Sequence, residues 1–133
     1  MVINTAGVDT TQIAGNAVTN ANSAYNTPFV SNTTAQTVTF TATGAPVFVA
    51  ASWTQNGSGN AGTYGGTASI RQNGSTIWSQ SFTNQKNSRR VQNGANISFT
   101  PSAGTCTVTL VASNSDGSYQ MGNRSLFVLE TKR

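Results

Sequence analysis

From residue 28 onward, apolar and polar residues alternate with a period of two, the pattern of a β-strand that buries one face. The run TVTFTA at 37–42 is the clearest case, because Val38, Phe40 and Ala42 share one face and three threonines share the other. Comparable runs predict further strands, at 28–30, at 46–53, in a hairpin within 67–82, and at 95–100, 105–111 and 124–131. About eight short strands separated by turns predict an all-β domain, an antiparallel sandwich of the jelly-roll type.

The pair Asn73-Gly74 lies between two extended runs in TASIRQNGSTIWSQSF. Both residue types adopt positive φ with little strain, so Asn-Gly between strands predicts a tight two-residue β-hairpin. Three longer polar stretches, rich in Gly, Asn and Ser, predict loops between other strands, at 54–66, 83–94 and 112–123.

The strands around Phe48 and Phe127 are apolar on both faces. In a two-sheet sandwich each strand has one face in the core and one face outside, so a second apolar face needs a covering partner. No strong helical pattern follows residue 27 that would provide the cover. We therefore predict that four outward-facing residues lie at an interface between copies of the chain: Phe48, Ala50, Phe127 and Leu129.

The beginning of the chain has a different pattern, with a β-branched apolar residue at every fifth position. These residues are Ile3, Val8, Ile13 and Val18. Neither a strand nor a helix repeats at five residues, and the stretch is too polar to bury them by itself. We predict that residues 1–27 form an arm whose apolar residues contact neighbouring copies or another protein, and that residues 28–133 form one domain.

Three states of this arm remain open, namely a short helix, an extended segment wound around its copies and a flexible tail. Asp9 is placed to cap a short helix, with Gln12 three residues on, and Ala17 and Ala21 fall on the same helical face as Ile13. The many asparagines and threonines disfavour a helix and suit an extended segment.

The composition removes most catalytic chemistry. Histidine is absent, and the acids are Asp9, Asp116 and Glu130. The chain therefore lacks a His–Cys metal cluster, and no serine or cysteine has a histidine to activate it. We predict a binding or structural protein with no catalytic residues, metal or other cofactor rather than an enzyme.

Charge and cysteine content indicate where the protein works. Only 8% of residues are charged, and the bases Lys86, Arg89 and Arg90 cluster without interleaved aromatics, so we expect no nucleic-acid partner. The single cysteine, Cys106, lies in the alternating run TCTVTL and is predicted to be buried. With no signal-peptide pattern and no intrachain disulfide, we expect assembly in the host cytoplasm and later exposure on a virion.

Four motifs resemble the C-terminal knobs of tailed-bacteriophage tail fibres: GAPVFV, RQNG, PSAGTCT and RSLFVLETKR. Together they cover roughly residues 37–133, and VDTTQIAGNAVTNA is similar to repeats of fibre shafts. The resemblance implies a trimeric, TNF-like jelly roll at the tip of a fibre. Where the family pattern has Tyr after PSAGT, this chain has Cys106, which leaves the fold intact but removes a polar-tipped aromatic.

The resemblance also implies a function, which is attachment of a phage particle to its host. The partner would be a bacterial surface glycan or an outer-membrane receptor. Recognition is expected in the three loops, because loops on a rigid scaffold tolerate variation. Aromatic rings stack on sugars and Arg makes forked hydrogen bonds to carboxylate or phosphate. The candidates are Tyr64, Arg89, Arg90 and Tyr119. Trp53 and Trp78 are expected in the core or an interface.

Two other functions fit the same residues. One is a trimeric capsid decoration or head-fibre protein that docks onto other virion proteins through residues 1–27. The other is a free lectin-like module, which would be a monomer.

Overall fold

The computed structural model describes residues 20–57, 63–85, 90–113 and 119–131. These residues form eight strands: β1 (Asn20–Asn26), β2 (Thr33–Ala42), β3 (Val47–Gly57), β4 (Thr63–Gln72), β5 (Ser75–Gln85), β6 (Val91–Phe99), β7 (Gly104–Ser113) and β8 (Tyr119–Glu130). No helix suited to crossing a membrane occurs in these four ranges.

The strands build two antiparallel sheets, with orders β1-β8-β3-β6 and β2-β7-β4-β5. Of the consecutive strands, only β4 and β5 are neighbours in one sheet, and every other connection crosses from one sheet to the other. This order is that of a jelly roll, in which two Greek keys wrap a single core. The predicted eight-stranded antiparallel sandwich is confirmed.

The core fills the space between the sheets with the inward residues of each alternating strand. In β2 the residues Val38, Phe40 and Ala42 are buried while the threonines between them are exposed, as their alternation predicts. Trp53 is fully buried and packs edge-on against Trp78 and Phe82, with ring centroids 6.3 and 6.0 Å away. Trp53 and Trp78 therefore contribute to the core.

The hairpin at Asn73-Gly74 is confirmed. The two residues have φ angles of 47° and 86°, and they join β4 directly to β5. Asn73 also ties the turn to β7, since its backbone N–H donates to the carbonyl of Thr107 and its Oδ1 accepts from the Thr107 N–H, each at 2.8 Å.

The strands are longer than the sequence predicts, and the loops between them are correspondingly shorter. β3 runs to Gly57 because β6 and β8 pair with its polar end on either side, and this double pairing buries Thr54 and Gln55. Backbone pairing places no demand on side-chain polarity, so polar residues extend the strands at both ends of each predicted loop. The predicted loops at 54–66, 83–94 and 112–123 shrink accordingly.

The first strand also lies elsewhere than predicted. Residue 30 makes one isolated bridge to Met121, whereas Asn20–Asn26 pairs with β8 over its whole length. A predicted arm ending at residue 27 therefore contains one strand of the sandwich, and a helix does not extend past residue 19. An edge strand needs only backbone pairing on one side, so its sequence carries little apolar signal. Ile3, Val8, Ile13 and Val18 lie outside the described residues, and their contacts stay a prediction.

Cys106 is 1% exposed, so its predicted burial is confirmed. Burial, and secondarily the charge of Glu130, raises the pKa of its thiol above the ordinary value of 9.0. The unfolded chain then releases this proton at a lower pH than the folded chain does. The thiol's contribution to stability is constant below pH 9 and is lost as the pH rises towards the raised value.

We expect Cys106→Ala to remove this part of the alkaline loss of stability. Wild type should lose up to about 1.4 kcal/mol more per pH unit above the ordinary thiol pKa than the variant does. Urea unfolding of both proteins at pH 7.5 and pH 10 measures the difference, and equal losses would show that the thiol does not titrate with unfolding.

Candidate functional site

The strand ends that flank the predicted recognition loops meet at one end of the sandwich, here called the loop end. In the first sheet Tyr119 at the start of β8 pairs with Gly57 at the end of β3. In the second sheet Thr63 at the start of β4 pairs with Gln85 at the end of β5. Only five residues separate Gly57 from Thr63, which limits their separation to about 20 Å and places both pairs at the same end.

The backbone brings three of the four predicted recognition residues to this end. Tyr64 is the second residue of β4, Tyr119 is the first residue of β8, and Arg90 immediately precedes β6. Arg90 is exposed, whereas the side chains of the two tyrosines and the whole of Arg89 lie outside the described part. Binding by these residues stays a prediction.

Arg90 has an aromatic partner that the sequence does not reveal. Its guanidinium carbon lies 5.0 Å from the centre of the Phe29 ring, within the range of a cation–π interaction. Phe29 belongs to the connection between β1 and β2, 61 positions away in the sequence (90 − 29). Only the fold brings the two together.

Phe29 belongs to a short segment, residues 27–30, which we call the strap. Backbone hydrogen bonds attach the strap to β8. Val30 and Met121 exchange backbone hydrogen bonds of 3.0 and 2.9 Å, and the Asn123 N–H donates to the Thr27 carbonyl at 3.1 Å. Beneath the ring lies Gly122, where an added β-carbon would be only 2.7 Å from a Phe29 ring carbon. A residue with a side chain at position 122 would displace the ring.

Arg124 anchors the strap from inside the protein. It is 4% exposed, and its Nη1 donates to the Pro28 carbonyl and, at 3.3 Å, to the Met121 carbonyl. Its Nε is buried without a hydrogen-bond partner, and burial lowers the pKa of the guanidinium. The one acid in the described ranges, Glu130, lies six residues along β8, roughly 20 Å away.

No local pattern in the sequence marks Phe29, Gly122 or Arg124 as members of a site. Arg124 alone carried a signal, because an arginine beginning the apolar run RSLFVLE is unusual in a buried strand.

A second surface lies on the outer face of the β1-β8-β3-β6 sheet. Phe127 is opposite Ala50 and Leu129 is opposite Phe48 on neighbouring strands, so the four residues predicted at an interface form one patch, the apolar face. Phe48 is 37% exposed, and the other three are half-buried. Contact of this patch with another copy stays a prediction.

Two features make the apolar face distinct. β1 adds Tyr25, which is 61% exposed and lies within the predicted arm. The charged residues in the described parts of these four strands, Arg124 and Glu130, are both buried, so no charge interrupts the face.

The outer face of the other sheet carries hydroxyl groups instead. Thr37, Thr39 and Thr41 of β2 stand opposite three threonines of β7, namely Thr109, Thr107 and Thr105. The Oγ1 atoms of Thr39 and Thr107 are 3.2 Å apart. The β2 and β7 strands of this sheet thus present hydroxyl groups that bind water, while Ile77 on the edge strand β5 is 36% exposed.

The described residues offer little for catalysis. No three His, Cys, Asp or Glu side chains within them come together. Cys106 is buried with a raised pKa, and a buried neutral thiol is a poor nucleophile. The expectation that the protein is not an enzyme stays a prediction.

Comparison with known proteins shows the fold but not a family. No family model and no curated protein matches the chain. Its fold is similar to part of dimeric latent PorU from Porphyromonas gingivalis, with a TM-score of 0.54 and 9% identity over 86% of this chain. It is also similar to part of a protein of the T13 IBDV viral particle, with a TM-score of 0.52 and 15% identity over 85% of this chain.

The chain spans only 13% of the PorU chain and 31% of the IBDV chain. A third structure, the C-terminal domain of EclA, a sugar-binding protein, matches with a TM-score of 0.41 and 16% identity, over 98% of this chain and 89% of that one. At these identities the likeness to the PorU and IBDV structures shows the β-sandwich fold and nothing about function.

Proposed function

We propose that the protein is a virion structural protein of a bacteriophage, a trimeric tail-fibre tip or receptor-binding knob that attaches the particle to the bacterial surface. The direction in which the chain enters the domain supports the virion role, and the motifs that resemble tail-fibre knobs favour the fibre tip. The chain enters the sandwich at Asn20, which pairs with Glu130, and β1 then runs towards the loop end. Asn20, the point where the preceding segment joins the sandwich, therefore lies at the end opposite the loop end.

Entry of the chain at one end and loops at the other suit a module placed between a particle and a cell. The segment before β1 attaches to the rest of the virion at one end, and the loop end points away from it. The motifs that resemble tail-fibre knobs support the same assignment. The jelly-roll fold is also found in the IBDV particle, so a virion location is compatible with it, although that likeness concerns the fold alone.

The apolar face supports the trimer. Its exposed aromatic and aliphatic side chains lie on a sheet whose described residues place no charge on the outer surface, while β2 and β7 of the other sheet present threonine hydroxyls there. Burying a large apolar side chain stabilises an assembly by about 1.5–3 kcal/mol, so a few such residues per copy contribute substantially. Three copies around one axis would present three loop ends in one direction and multiply weak contacts.

A second candidate function uses the same fold and the same direction of chain entry. In a capsid decoration or head-fibre protein the segment before residue 20 would dock onto the capsid, and the loop end would face the solvent. The direction in which β1 enters the sandwich suits this docking equally well.

The decisive experiment has two readouts on the purified protein. Light scattering should give the mass of a trimer, and fluorescently labelled protein should bind cells of at least one strain in a panel of bacteria. Binding to particles that lack the protein, with no binding to any cell, would support the decoration function instead. A stable monomer that binds sugars would overturn both and support a lectin-like module.

A further inference from the structure

At the loop end, two arginine side chains converge on the strap. Arg124 donates to the carbonyl of Pro28, and Arg90 lies over the ring of Phe29, the next residue. No carboxylate in the described part of the chain pairs with either guanidinium, because Glu130, its one acid, accepts from the Thr43 N–H at the far end of β8. Two positive charges therefore lie next to the strap, and no described residue supplies a counterion to either of them.

We propose that Arg90, held over Phe29 by the strap, binds the carboxylate or phosphate group of an acidic saccharide. This inference deepens the proposed attachment function by naming the chemical class of its receptor. It also commits to one residue, Arg90, as the group that contacts the ligand.

The geometry around Arg90 favours an oxyanion. The guanidinium carbon lies over the Phe29 ring and the Arg90 side chain is exposed, so the N–H groups turned away from the ring are available to a ligand. A guanidinium presents its donors in a planar fork that matches two oxygens of a carboxylate or phosphate. Because the ring restrains the arginine before binding, less conformational entropy is lost when the ligand arrives.

The support beneath Phe29 is rigid. The strap is bonded to β8 through the backbone of Val30 and Thr27, and the absence of a side chain at Gly122 lets the ring lie directly on the strand. An arginine on a flexible loop would lack these backbone hydrogen bonds and this packing against β8. Their presence indicates that the position of the Phe29 ring, and therefore of Arg90, is defined by the fold.

Arg124 acts on the site as a positioning residue. Its guanidinium is too deeply buried to touch a ligand, but it fixes the Pro28 carbonyl and adds a positive charge in a desolvated environment. A charge in such an environment is less screened than one in water and raises the local attraction for anions.

The test uses three small probes: trigalacturonate, which carries carboxylates, glucose 6-phosphate, which carries a phosphate, and maltotriose, which is neutral. Binding to the full-length protein is followed by nuclear magnetic resonance at low salt. We expect one or both acidic probes to bind with shifts at Phe29, Arg90 and Val91, and maltotriose to leave these signals unchanged. The comparison of the two acidic probes identifies which anion the receptor carries.

Arg90→Gln should weaken binding of the acidic probe by on the order of tenfold or more, the effect of losing a charged hydrogen bond. Arg90→Lys should recover only part of the loss, since an ammonium lacks the fork. Arg71→Gln is the matched control, because it removes the same charge beside the Asn73-Gly74 turn, at the opposite end of the sandwich. Equal weakening by Arg71→Gln and Arg90→Gln would overturn the proposal, as would equal binding of maltotriose.

Arg124 is tested separately by its conservative variant. Arg124→Lys should keep the affinity of the folded protein, whereas Arg124→Met should lower it and shift the Phe29 ring signals. A purely structural role would lower the melting temperature of both variants and leave the affinity of both unchanged.

These results separate the site from the proposed function. One outcome is that the Arg90→Gln variant loses binding of the acidic probe while the labelled variant still binds cells as wild type does. In that case the receptor is not an acidic saccharide and the attachment function stands. If the acidic probe binds through Arg90 but no cells are bound, the site stands and the attachment function fails.

Discussion

Replacing Phe127 with aspartate is expected to convert the proposed trimer into folded monomers. Phe127 lies on the outer side of β8, opposite Ala50, so a carboxylate there stays hydrated in the monomer. In an assembly that covers the apolar face, the same carboxylate would lose its water with no cation on that face to compensate it, a cost of several kcal/mol for each copy. Three copies multiply the cost, so dissociation should be complete at micromolar concentration.

Light scattering gives the mass, and circular dichroism shows whether the sandwich remains folded. Thr37→Asp is the matched control, because it adds the same charge in the middle of a strand on the outer face of the other sheet, opposite Thr109. This control should retain the trimer. A Phe127→Asp protein that keeps the mass of wild type would mean that the apolar face is not the interface.

Replacing Glu130 with alanine is expected to lower the free energy of unfolding by about 2–4 kcal/mol. Glu130 is 1% exposed, and its Oε2 accepts a hydrogen bond of 2.9 Å from the Thr43 N–H, in the turn between β2 and β3. The next residue closes the same turn, since the N–H and the hydroxyl of Thr131 both donate to the Pro46 carbonyl at 2.9 Å. Alanine would leave the Thr43 N–H without this partner and open a cavity.

Glutamine at position 130 should cost far less, about 1 kcal/mol or below. It keeps an oxygen for the Thr43 N–H, and its amide group replaces Oε1, a buried atom that has no hydrogen-bond partner. Urea unfolding of wild type, Glu130→Ala and Glu130→Gln measures the difference. Equal losses in both variants would show that the negative charge, rather than the hydrogen bond, stabilises this turn.

Several features of the candidate surfaces could be predicted from the sequence. Phe48 and Phe127 lie on strands with two apolar faces, and alternation alone shows which residues share the second face. Alternation does not show that the two strands are neighbours. A small sandwich has only two outer surfaces, however, so two apolar outer faces have few possible arrangements. The structure pairs Phe48 with Leu129 and Ala50 with Phe127, which joins the predicted residues into one patch.

The arginine site could not be predicted in the same way. Arg90 was identified by its chemistry and its loop, but its partner Phe29 was assigned to a short first strand. The contact depends on the strap crossing β8, where the pairing with β3 shifts register between Ser125 and Gly122, Asn123 has a φ of 44°, and Gly122 has no side chain. These are pairings between segments about 90 residues apart, and no local pattern records them.

Local periodicity by itself determined the all-β class, the Asn73-Gly74 hairpin, the burial of Cys106 and the strands with two apolar faces, because each of these depends on residues within a few positions of one another. The tertiary structure decided the lengths of the strands, the recruitment of Asn20–Asn26 as an edge, and the convergence of Arg90, Phe29 and Arg124 at the loop end. Backbone hydrogen bonds between distant strands made those choices, and a backbone amide pairs in the same way whatever side chain it carries.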